Sequence, residues 1–282
     1  MEILELNRDS VNAILPQRDP WGHKGSFGKI LLLCGSRGYT GAAYLSTMGA
    51  LRSGAGLVFL GVPESIYAIE AVKLNEPVVF PLPDIGGMVS ADAVRELEPK
   101  LEKMDAVLIG CGLGISPDTE QFLLWVLKNA RCPVIVDADG ITMLRTHKDI
   151  LRGRKYPTIL TPHDGEFLRL AGTIGDDRMT SAADFAREWN CVLLLKGHRT
   201  CVSDGKTNYR NTTGNPGMAV GGSGDVLAGI ITSLAGQGIE PLQAAACAAW
   251  LHGAAGDLCA RELGQYGMLP SDMLNALPRL LK

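Results

Sequence analysis

The sequence predicts an α/β fold, a three-layer αβα sandwich around a central, mainly parallel sheet. Short apolar runs recur along the chain: "KILLLC" (29–34), "LVFLGV" (57–62), "AVLIGC" (106–111), "PVIVDA" (133–138), "TILT" (158–161) and "VLLLK" (192–196). Continuous apolar runs of this length are typical of parallel strands that are buried on both faces. Longer helix-patterned segments separate them, and this alternation predicts helices on both sides of the sheet.

Capping residues indicate where some of the helices begin and end. Ser116, followed by Pro117, opens the helix-patterned segment "SPDTEQFLLWVLKNA" (116–130). In "TPHDGEFLRLAG" (161–172) we expect Thr161 to be the N-terminal cap and Gly172 to end the helix. Each predicted helix thus starts directly after a predicted strand.

The last hundred residues are predicted to be largely helical. Ser181 and Asp184 suggest a capping box for "AADFAREWN" (182–190). A hairpin is expected around residues 203–206, and after it the segments 225–238 and 240–263 are rich in Ala and Gly. Small residues of this kind suit helices that pack closely against a sheet and against each other.

Composition limits the classes of function. The 282 residues are 46% hydrophobic and 20% charged, with a net charge of −3. Nothing in this composition attracts nucleic acid or anionic lipid, and no apolar run approaches the ~20 residues of a membrane helix. No secretory signal is present, and no linker or repeat divides the chain. We therefore expect a cytoplasmic protein with a single domain over residues 1–282.

The cysteines and histidines do not form a recognisable metal or disulfide pattern. Seven cysteines are an odd number, none form C-x-x-C, and most lie in apolar runs. This distribution favours buried, reduced thiols over disulfides or zinc ligands. His23, His147, His198 and His252 share no metal-ligand spacing, and His252 is expected to be a core or interface residue.

Polar and glycine-rich loops follow the predicted strands. They read "GSRGYTGAA" (35–43), "GCGLGISP" (110–117), "DADG" (137–140), "TPHDGE" (161–166) and "KGHRT" (196–200). In open parallel sheets, ligands bind at the carboxyl ends of the strands. The five loops together predict a ligand site at that edge.

The segment "NPGMAVGGSGDVLAGIIT" (215–232) contains five glycines. If a helix begins near Ser223, the amides of Gly222, Ser223 and Gly224 have no partner within the helix, and the helix dipole adds positive potential. Glycines also let a phosphate approach the main chain without meeting a Cβ. This segment therefore predicts a phosphate site built from backbone amides.

Asp225 is the candidate catalytic residue of that site. A carboxylate beside a bound phosphate suits a general base that takes the proton of an attacking hydroxyl during phosphoryl transfer. The alternative interpretation is that Asp225 is simply an acid that favours the first turn of a helix.

Two common nucleotide motifs are not matched. "GHKGSFGKI" (22–30) has His23 where a P-loop has its first glycine and Ile30 where it has Ser or Thr. "GLGISP" (112–117) and "GAGLVF" (54–59) begin G-x-G but lack the third glycine of the dinucleotide fingerprint. These absences disfavour a P-loop enzyme and a Rossmann dehydrogenase.

The stretch "NPGMAVGGSGDVLAG" (215–229) closely resembles the signature of the ADP/ATP-dependent NAD(P)H-hydrate dehydratases, a branch of the ribokinase-like superfamily. Supporting motifs follow in the family's order: "HKGSFGKILLLCGSRGYTGAA" (23–43), "IGCGLG" (109–114), "DADG", "LTPHDGEF" (160–167) and "LLKGHRT" (194–200). The chain departs from the pattern at Cys111, where the family has Pro, at Asp164 and at Ser223. All three lie in loops that act through the backbone.

The resemblance implies a ribokinase-like fold and a repair reaction. The implied substrate is hydrated NADH or NADPH, which carries a hydroxyl at C6 of the nicotinamide ring. ADP, or ATP, would phosphorylate that hydroxyl with the help of Mg²⁺, and elimination of phosphate would restore the reduced cofactor and leave AMP. Similar proteins imply a homotetramer that works with a separate epimerase, since no epimerase domain is expected within these 282 residues.

The resemblance also implies roles for individual residues. Asp225 would be the base, and the hydrate would contact it together with Ala42, Gly112 and His163. Glu166 would help to hold Mg²⁺ through water, since that ion keeps several waters. The nucleotide would bind Lys196, Gly197, His198, Arg199, Thr200, Gly222, Ser223 and Gly224.

Other interpretations of these residues stay open. His163 is alternatively a solvent-facing residue at a helix start, and Lys196 a solvated lysine at a strand end. Asp137 and Asp139 are either site carboxylates or turn formers. As rivals for the whole protein, a hydroxymethylpyrimidine or hydroxyethylthiazole kinase would share the scaffold and Asp225, and a non-catalytic regulator would bind nucleotide without turnover.

Overall fold

A nine-stranded sheet forms the centre of the fold in the computed structural model, which describes residues 2–281. Its spatial order is β11-β10-β9-β8-β7-β6-β1-β2-β3, and a two-stranded pair, β4 and β5, lies apart from it. The strands are β1 (Lys29–Leu33), β2 (Leu57–Pro63), β3 (Val78–Leu82), β4 (Asp84–Ile85), β5 (Met88–Val89), β6 (Ala106–Ile109), β7 (Val134–Val136), β8 (Thr158–Leu160), β9 (Val192–Leu195), β10 (Cys201–Ser203) and β11 (Asn208–Arg210).

Seven neighbouring strands of the large sheet, from β9 to β3, run parallel, and β10 is antiparallel to both of its neighbours. The predicted mainly parallel sheet is therefore confirmed, as is the hairpin after residue 200. All six predicted strands are present within two residues of their expected ends.

Helices cover both faces of the sheet, which confirms the three-layer architecture. They are α1 (Arg8–Ile14), α2 (Thr40–Arg52), α3 (Glu64–Lys73), α4 (Val94–Leu101), α5 (Pro117–Asn129), α6 (Asp139–Leu144), α7 (Asp149–Gly153), α8 (Asp164–Ala171), α9 (Arg178–Trp189), α10 (Ser223–Gly236), α11 (Pro241–Leu263) and α12 (Pro270–Ala276). The central strand β1 shows the division: Ile30 and Leu32 face a core shared with α10 and α11, while Leu31 and Leu33 face the core under α5.

Strand β3 is not predicted by the apolar runs. It lies at the edge of the sheet, and its burial is incomplete because only Leu82 of its five residues is fully buried. Pro81 breaks the pattern of a buried strand, and an edge strand tolerates proline because one side of its backbone needs no partner. An exposed edge strand with a proline therefore carries little of the apolar signal that identifies a buried one.

Two predicted helix starts are wrong, while Ser116 caps α5 as expected. The cap of α8 is His163 and not Thr161, because Thr161 donates its hydroxyl to the carboxylate of Asp137. Helix α9 begins at Arg178 under the cap of Asp177, so Ser181 lies inside its first turns. Gly172 ends α8 with a left-handed conformation, as predicted.

Helices α2 and α10 cross at very short range. A Cβ on Gly49 would lie 2.6 Å from the carbonyl oxygen of Val226, and a Cβ on Gly229 would overlap the carbonyl oxygen of Ser46. The two glycines therefore allow backbone to pack against backbone. This crossing fixes the start of α10 above the carboxyl ends of the central strands.

We expect the substitution Gly229→Ala to destabilise the fold. Alanine is favoured over glycine in a helix by ~1 kcal/mol, but the added methyl group would force α2 and α10 apart. Overpacking of this kind costs roughly 1–3 kcal/mol, so the melting temperature should fall. The matched control is Gly153→Ala in α7, where a Cβ meets no atom within 4 Å and where we expect no loss of stability. Equal melting temperatures for the two variants would contradict the crossing described above.

Candidate active site

Asp137 and Lys196 meet beneath the carboxyl end of the sheet. Asp137 follows β7, Lys196 follows β9, and the Nζ of Lys196 lies 2.8 Å from Oδ1 of Asp137. The carboxylate is buried, and it also accepts a hydrogen bond of 2.7 Å from the hydroxyl of Thr161, which follows β8. Of the two open interpretations of Asp137, the structure thus supports a site carboxylate.

Lys196 is held by a second acid as well. Its Nζ lies 3.8 Å from Oε2 of Glu166, and only 19% of the side chain is exposed. Burial alone would lower the pKa of Lys196, but the charges of Asp137 and Glu166 outweigh it and raise that pKa. The lysine is therefore a fixed ammonium group and not a freely solvated one.

The start of α8 places His163 and Glu166 side by side. Nδ1 of His163 accepts the amides of Gly165 and Glu166, while Oε2 of Glu166 accepts the amide of His163 at 2.9 Å. This reciprocal capping leaves 55% of the His163 side chain exposed, with its Nε2 3.6 Å from Oε1 of Glu166. His163 is thus positioned to meet a ligand from the solvent side.

Glu166 fits a water-mediated contact with Mg²⁺. Its carboxylate is largely buried and already engaged through Oε2 by the His163 amide and by Lys196, so Oε1, which lies 3.6 Å from Nε2 of His163, is the oxygen left for a bridging water. Oxygen donors are the ligands that Mg²⁺ prefers, and the ion commonly keeps several waters.

The glycine-rich turn ends at α10, which begins at Ser223 as predicted. Gly222 caps this helix with φ of 96°, a left-handed conformation that a side chain rarely adopts. The expectation of three free amides is wrong for Ser223: its amide donates to the carbonyl of Val220 at 3.2 Å, because the chain makes a tight turn there. The Ser223 hydroxyl lies 3.3 Å from Nε2 of the buried His252.

Gly224 is the point of closest approach between α10 and the ion pair. A Cβ at this position would lie 3.3 Å from the Nζ of Lys196 and 3.9 Å from Oδ2 of Asp137. Within residues 2–281, the amides of Gly222 and Gly224 have no main-chain acceptor. The ammonium group therefore lies beside the first turn of α10, where helix amides without an internal partner are typical donors to anions.

Asp225 lies one residue further along, in the first turn of α10. One oxygen of its carboxylate, one oxygen of Asp137 and the sulfur of Cys111 all lie within 4.8 Å of one another. Burial, followed by the negative charge of Asp137, raises the pKa of Asp225 from 3.8 to about 6. A group with this pKa exchanges protons near neutral pH, as general acid–base catalysis requires.

Cys111, noted in the sequence only as a departure from the family pattern, is a neighbour of Asp225. Its thiol lies 3.5 Å from Oδ2 of Asp137, and it is fully buried. A hydrogen bond with Cys34 and burial raise its pKa well above the ordinary thiol range. Like the other six cysteines, it is reduced and buried, as the composition predicted.

Asp139 has the character of a turn former. It opens α6, and its Oδ2 accepts the amide of Gly114 at 2.9 Å, which joins the loop after β6 to the loop after β7. Burial raises its pKa despite this hydrogen bond. Asp139 therefore supports the site through the backbone around it.

Ala42 and Gly112, both expected from the resemblance to contact the hydrate, lie in close contact with each other. Gly112 has φ of 60°, and a Cβ there would lie 2.8 Å from the Cβ of Ala42 and 2.9 Å from that of Tyr39. The contact between the start of α2 and the loop after β6 is therefore possible only with small residues. Any larger side chain would close the space between the two loops.

The loop "KGHRT" (196–200) is shaped by an arginine that sequence reasoning missed. Arg178, at the start of α9, donates to the carbonyls of Lys196 at 2.7 Å and His198 at 3.2 Å, and it pairs with Asp164 at 2.8 Å. These bonds hold the loop open to solvent, with Gly197, His198 and Arg199 exposed and Thr200 buried. The role of Arg178 could not be predicted from the sequence, because its partner Asp164 is fourteen residues away and the two side chains meet only in the folded chain.

Comparison with known proteins identifies the family to which this chain belongs. The family model described as NAD(P)H-hydrate dehydratase matches residues 30–279. An ADP-dependent (S)-NAD(P)H-hydrate dehydratase of Bacillus subtilis is 36% identical over 288 residues, covering 100% of this chain and 99% of the relative. The chain belongs to the NAD(P)H-hydrate dehydratase family.

Longer relatives and solved structures extend this NAD(P)H-hydrate dehydratase assignment. The bifunctional NAD(P)H-hydrate repair enzyme Nnr of Moorella thermoacetica is 47% identical over 275 residues, 95% of this chain, and the chain spans 52% of that relative's length. A ribokinase-like superfamily protein of Enterococcus faecalis superposes with a TM-score of 0.86 at 30% identity, covering 99% of this chain and 95% of that one. The ribokinase-like fold is confirmed.

A solved B. subtilis dehydratase bears on the nucleotide. The ADP/ATP-dependent NAD(P)H-hydrate dehydratase, co-crystallised with ATP/Mg²⁺, superposes with a TM-score of 0.84 at 31% identity and covers 99% of this chain and 98% of that chain. For this chain, family membership supports the use of a nucleotide. Across residues 2–281 none of the helices is both long and apolar enough to cross a membrane.

We expect Asp225→Asn to stabilise this dehydratase-family protein at pH 8. Because the pKa of Asp225 is raised on folding, its favourable contribution is present below about pH 4 and is lost as the pH rises through about 6. A neutral amide removes that cost, which is at most about 3 kcal/mol. The melting temperature should therefore rise by several degrees at pH 8 and change little at pH 4.

The control for this variant is Asp149→Asn, in the first turn of α7, where 88% of the side chain is exposed. We expect it to leave the melting temperature unchanged at both pH values, since an exposed surface pair contributes little. If Asp225→Asn instead lowers the melting temperature at pH 8, favourable contacts stabilise the ionised carboxylate. The raised pKa of Asp225 would then be contradicted.

Proposed function

We propose that the chain catalyses the ADP-dependent dehydration of (S)-NAD(P)H hydrate to NAD(P)H, giving AMP and phosphate. The observation that carries this proposal is the half-buried Asp225 carboxylate, with its pKa of about 6, in the same helix turn as the amides of Gly222 and Gly224. A general base next to an anion-binding site suits the transfer of a phosphoryl group to a hydroxyl.

In the first step, Asp225 accepts the proton of the C6 hydroxyl as that oxygen attacks the terminal phosphorus of ADP. The new O–P bond forms while the bond to the AMP oxygen breaks. The amides of Gly222 and Gly224 face the transferring group, and the ammonium of Lys196 adds positive charge beside them. This step leaves a protonated Asp225, a phosphorylated hydrate and AMP.

In the second step, the lone pair of the ring nitrogen expels phosphate from C6. Phosphate leaves far more readily than hydroxide, since the second pKa of a phosphate ester is ~6. The resulting iminium loses a proton from C5, which restores the reduced nicotinamide. Overall, the elements of water leave the hydrate and convert ADP to AMP and phosphate.

The other expected ligands have places around Asp225. Ala42 and Gly112, which lie in close contact, would line the pocket for the nicotinamide ring, and the half-exposed imidazole of His163 would contact the hydrate. The loop 196–200, kept open by Arg178, would bind the nucleotide. Glu166 would hold Mg²⁺ through water, and the ion would neutralise charge on the phosphates of the donor.

We further propose that residues 1–282 form one domain that acts in the cytoplasm as a homotetramer, with hydrate epimerisation carried out by a separate protein. The relative from Moorella thermoacetica is named a bifunctional NAD(P)H-hydrate repair enzyme, which is consistent with a second repair activity that acts beside this one. NADH and NADPH hydrates are both candidate substrates, and ADP is preferred over ATP in this proposal because the full-length B. subtilis relative is named as ADP-dependent.

Incubation with NADH hydrate and ADP tests this function. We expect the absorbance of the reduced nicotinamide to return while one AMP appears for each NADH formed. The same protein incubated with hydroxymethylpyrimidine or hydroxyethylthiazole should give no phosphorylated product. A stable phosphorylated vitamin precursor, with no recovery of NADH, would instead identify a kinase on the same scaffold.

We expect Asp225→Ala to lower the turnover of hydrate by ~10²–10⁴, the usual contribution of general-base catalysis. Binding of ADP should persist, which equilibrium dialysis can measure. The control Asp149→Ala removes another first-turn acid, far from the site, and should keep full turnover. Similar turnover in both variants would favour the interpretation of Asp225 as a helix-stabilising acid only.

The pH dependence of kcat/KM gives a separate test. Since the base must be ionised, we expect the rate to fall about tenfold per pH unit below about pH 6, the pKa of Asp225. Above that pH the rate should be level until other groups titrate. A profile that stays flat down to about pH 4.5 would exclude Asp225 as the base.

A further inference from the structure

We propose that Cys111, Asp137 and Asp225 form a binding site for a thiophilic divalent cation of the zinc and cadmium class. One ligand atom from each residue lies within 4.8 Å of the other two, and the three come from the loops after β6 and β7 and from the start of α10. Around a tetrahedral zinc ion, with bonds of about 2.0–2.3 Å, neighbouring ligands lie roughly 3.5 Å apart. Binding of one ion therefore requires the three atoms to approach from within 4.8 Å of one another to roughly 3.5 Å.

The hydrogen bonds of Asp137 with Lys196 and Thr161 engage its Oδ1 and leave its Oδ2 available to a cation. Its Oδ1 is occupied by Lys196 at 2.8 Å and by the hydroxyl of Thr161 at 2.7 Å. Its Oδ2 faces the thiol of Cys111 at 3.5 Å. A cation between Oδ2 and the sulfur would thus replace only the thiol proton and would leave the ion pair intact.

The charges that face this position favour a cation. Asp225 approaches from α10 and Asp137 from β7, with Asp139 and Glu166 nearby. On the basic side, Lys196 pairs with Asp137 and Glu166, and His163 lies 3.6 Å from Glu166. Within residues 2–281, Asp225 has no ion-pair partner. An added divalent cation would compensate the excess negative charge directly.

The sulfur decides which cation fits. Thiolate ligands select zinc, cadmium and similar soft cations, whereas Mg²⁺ prefers oxygen and water. The site is therefore distinct from the position proposed for Mg²⁺ at Glu166. On binding, a sulfur–metal bond forms, the S–H bond of Cys111 breaks and its proton passes to solvent, with no change in oxidation state.

Occupation of this site would inhibit the proposed reaction. A carboxylate that is bound to a cation cannot accept the proton of a hydroxyl, so Asp225 would cease to act as a base. This consequence rests on the proposed function, but the binding of the cation does not. The half-buried Asp225 forms the solvent side of the cluster, with Cys111 beneath it.

Titration of the metal-free protein with Cd²⁺ tests the inference. We expect one cation to bind per chain, with the ultraviolet charge-transfer absorption of a cadmium–thiolate bond. Cys111→Ser should lose this absorption, whereas Cys259→Ser, which removes another buried thiol in α11, should keep it. The inference is overturned if the protein without substitutions shows no such absorption or if Cys111→Ser retains it.

Asp225→Asn provides a second variant that does not depend on the folding of Cys111→Ser. It should keep the absorption but bind Cd²⁺ at least tenfold more weakly, and unchanged affinity would remove Asp225 from the site. With NADH hydrate and ADP, Zn²⁺ should inhibit the original protein and leave a larger fraction of the activity of Cys111→Ser. Cadmium binding through Cys111 in a protein without hydrate repair would refute the proposed function and leave this inference standing.

Discussion

The ion pair between Asp137 and Lys196 is the interaction on which the site depends. It joins the ends of β7 and β9 across β8, and it sets an ammonium group 3.3 Å from the position of a Cβ on Gly224. Loss of either partner would leave a buried charge uncompensated, which costs roughly 3–5 kcal/mol. Because Asp137 and Glu166 already engage the lysine, Asp225 stays without a cation of its own. The chemistry proposed for Asp225 thus follows from how its neighbours are paired.

The same arrangement explains why a chain tolerates a destabilising acid in its interior. The isolated carboxylate of Asp225 is unfavourable to the fold at neutral pH, yet a base with a pKa near 6 is useful only if it is poorly solvated and unpaired. Stability elsewhere, in the two cores on either side of the sheet, is large enough to support it. Function and stability therefore make opposite demands on this one residue.

Much of the fold could be predicted because parallel strands and capped helices leave local signals. The apolar runs located six strands, and the glycine-rich turn located the start of α10. The cap of α9 is the nearby Asp177, which accepts the amides of Met179 and Thr180. The cap of α8 was missed because of a long-range partner: Thr161 bonds to Asp137, 24 residues away. Cys111 and Arg178 were missed for the same reason, since their roles exist only once distant loops meet. Residue identity predicted which groups gather at the edge of the sheet but not which of them pair.

The crossing of α2 and α10 has a consequence for how the molecule is made. It packs the backbone near residue 49 against the backbone near residue 226. Helix α2 therefore cannot complete its packing until α10, which is synthesised much later, has formed. Contacts of such long sequence separation slow folding and leave apolar surface uncovered meanwhile. On the ribosome, β1, β2 and α2 would emerge with one face bare until α10 arrives. The glycine-rich turn before α10 therefore reaches its place only after the strands beneath it have been synthesised.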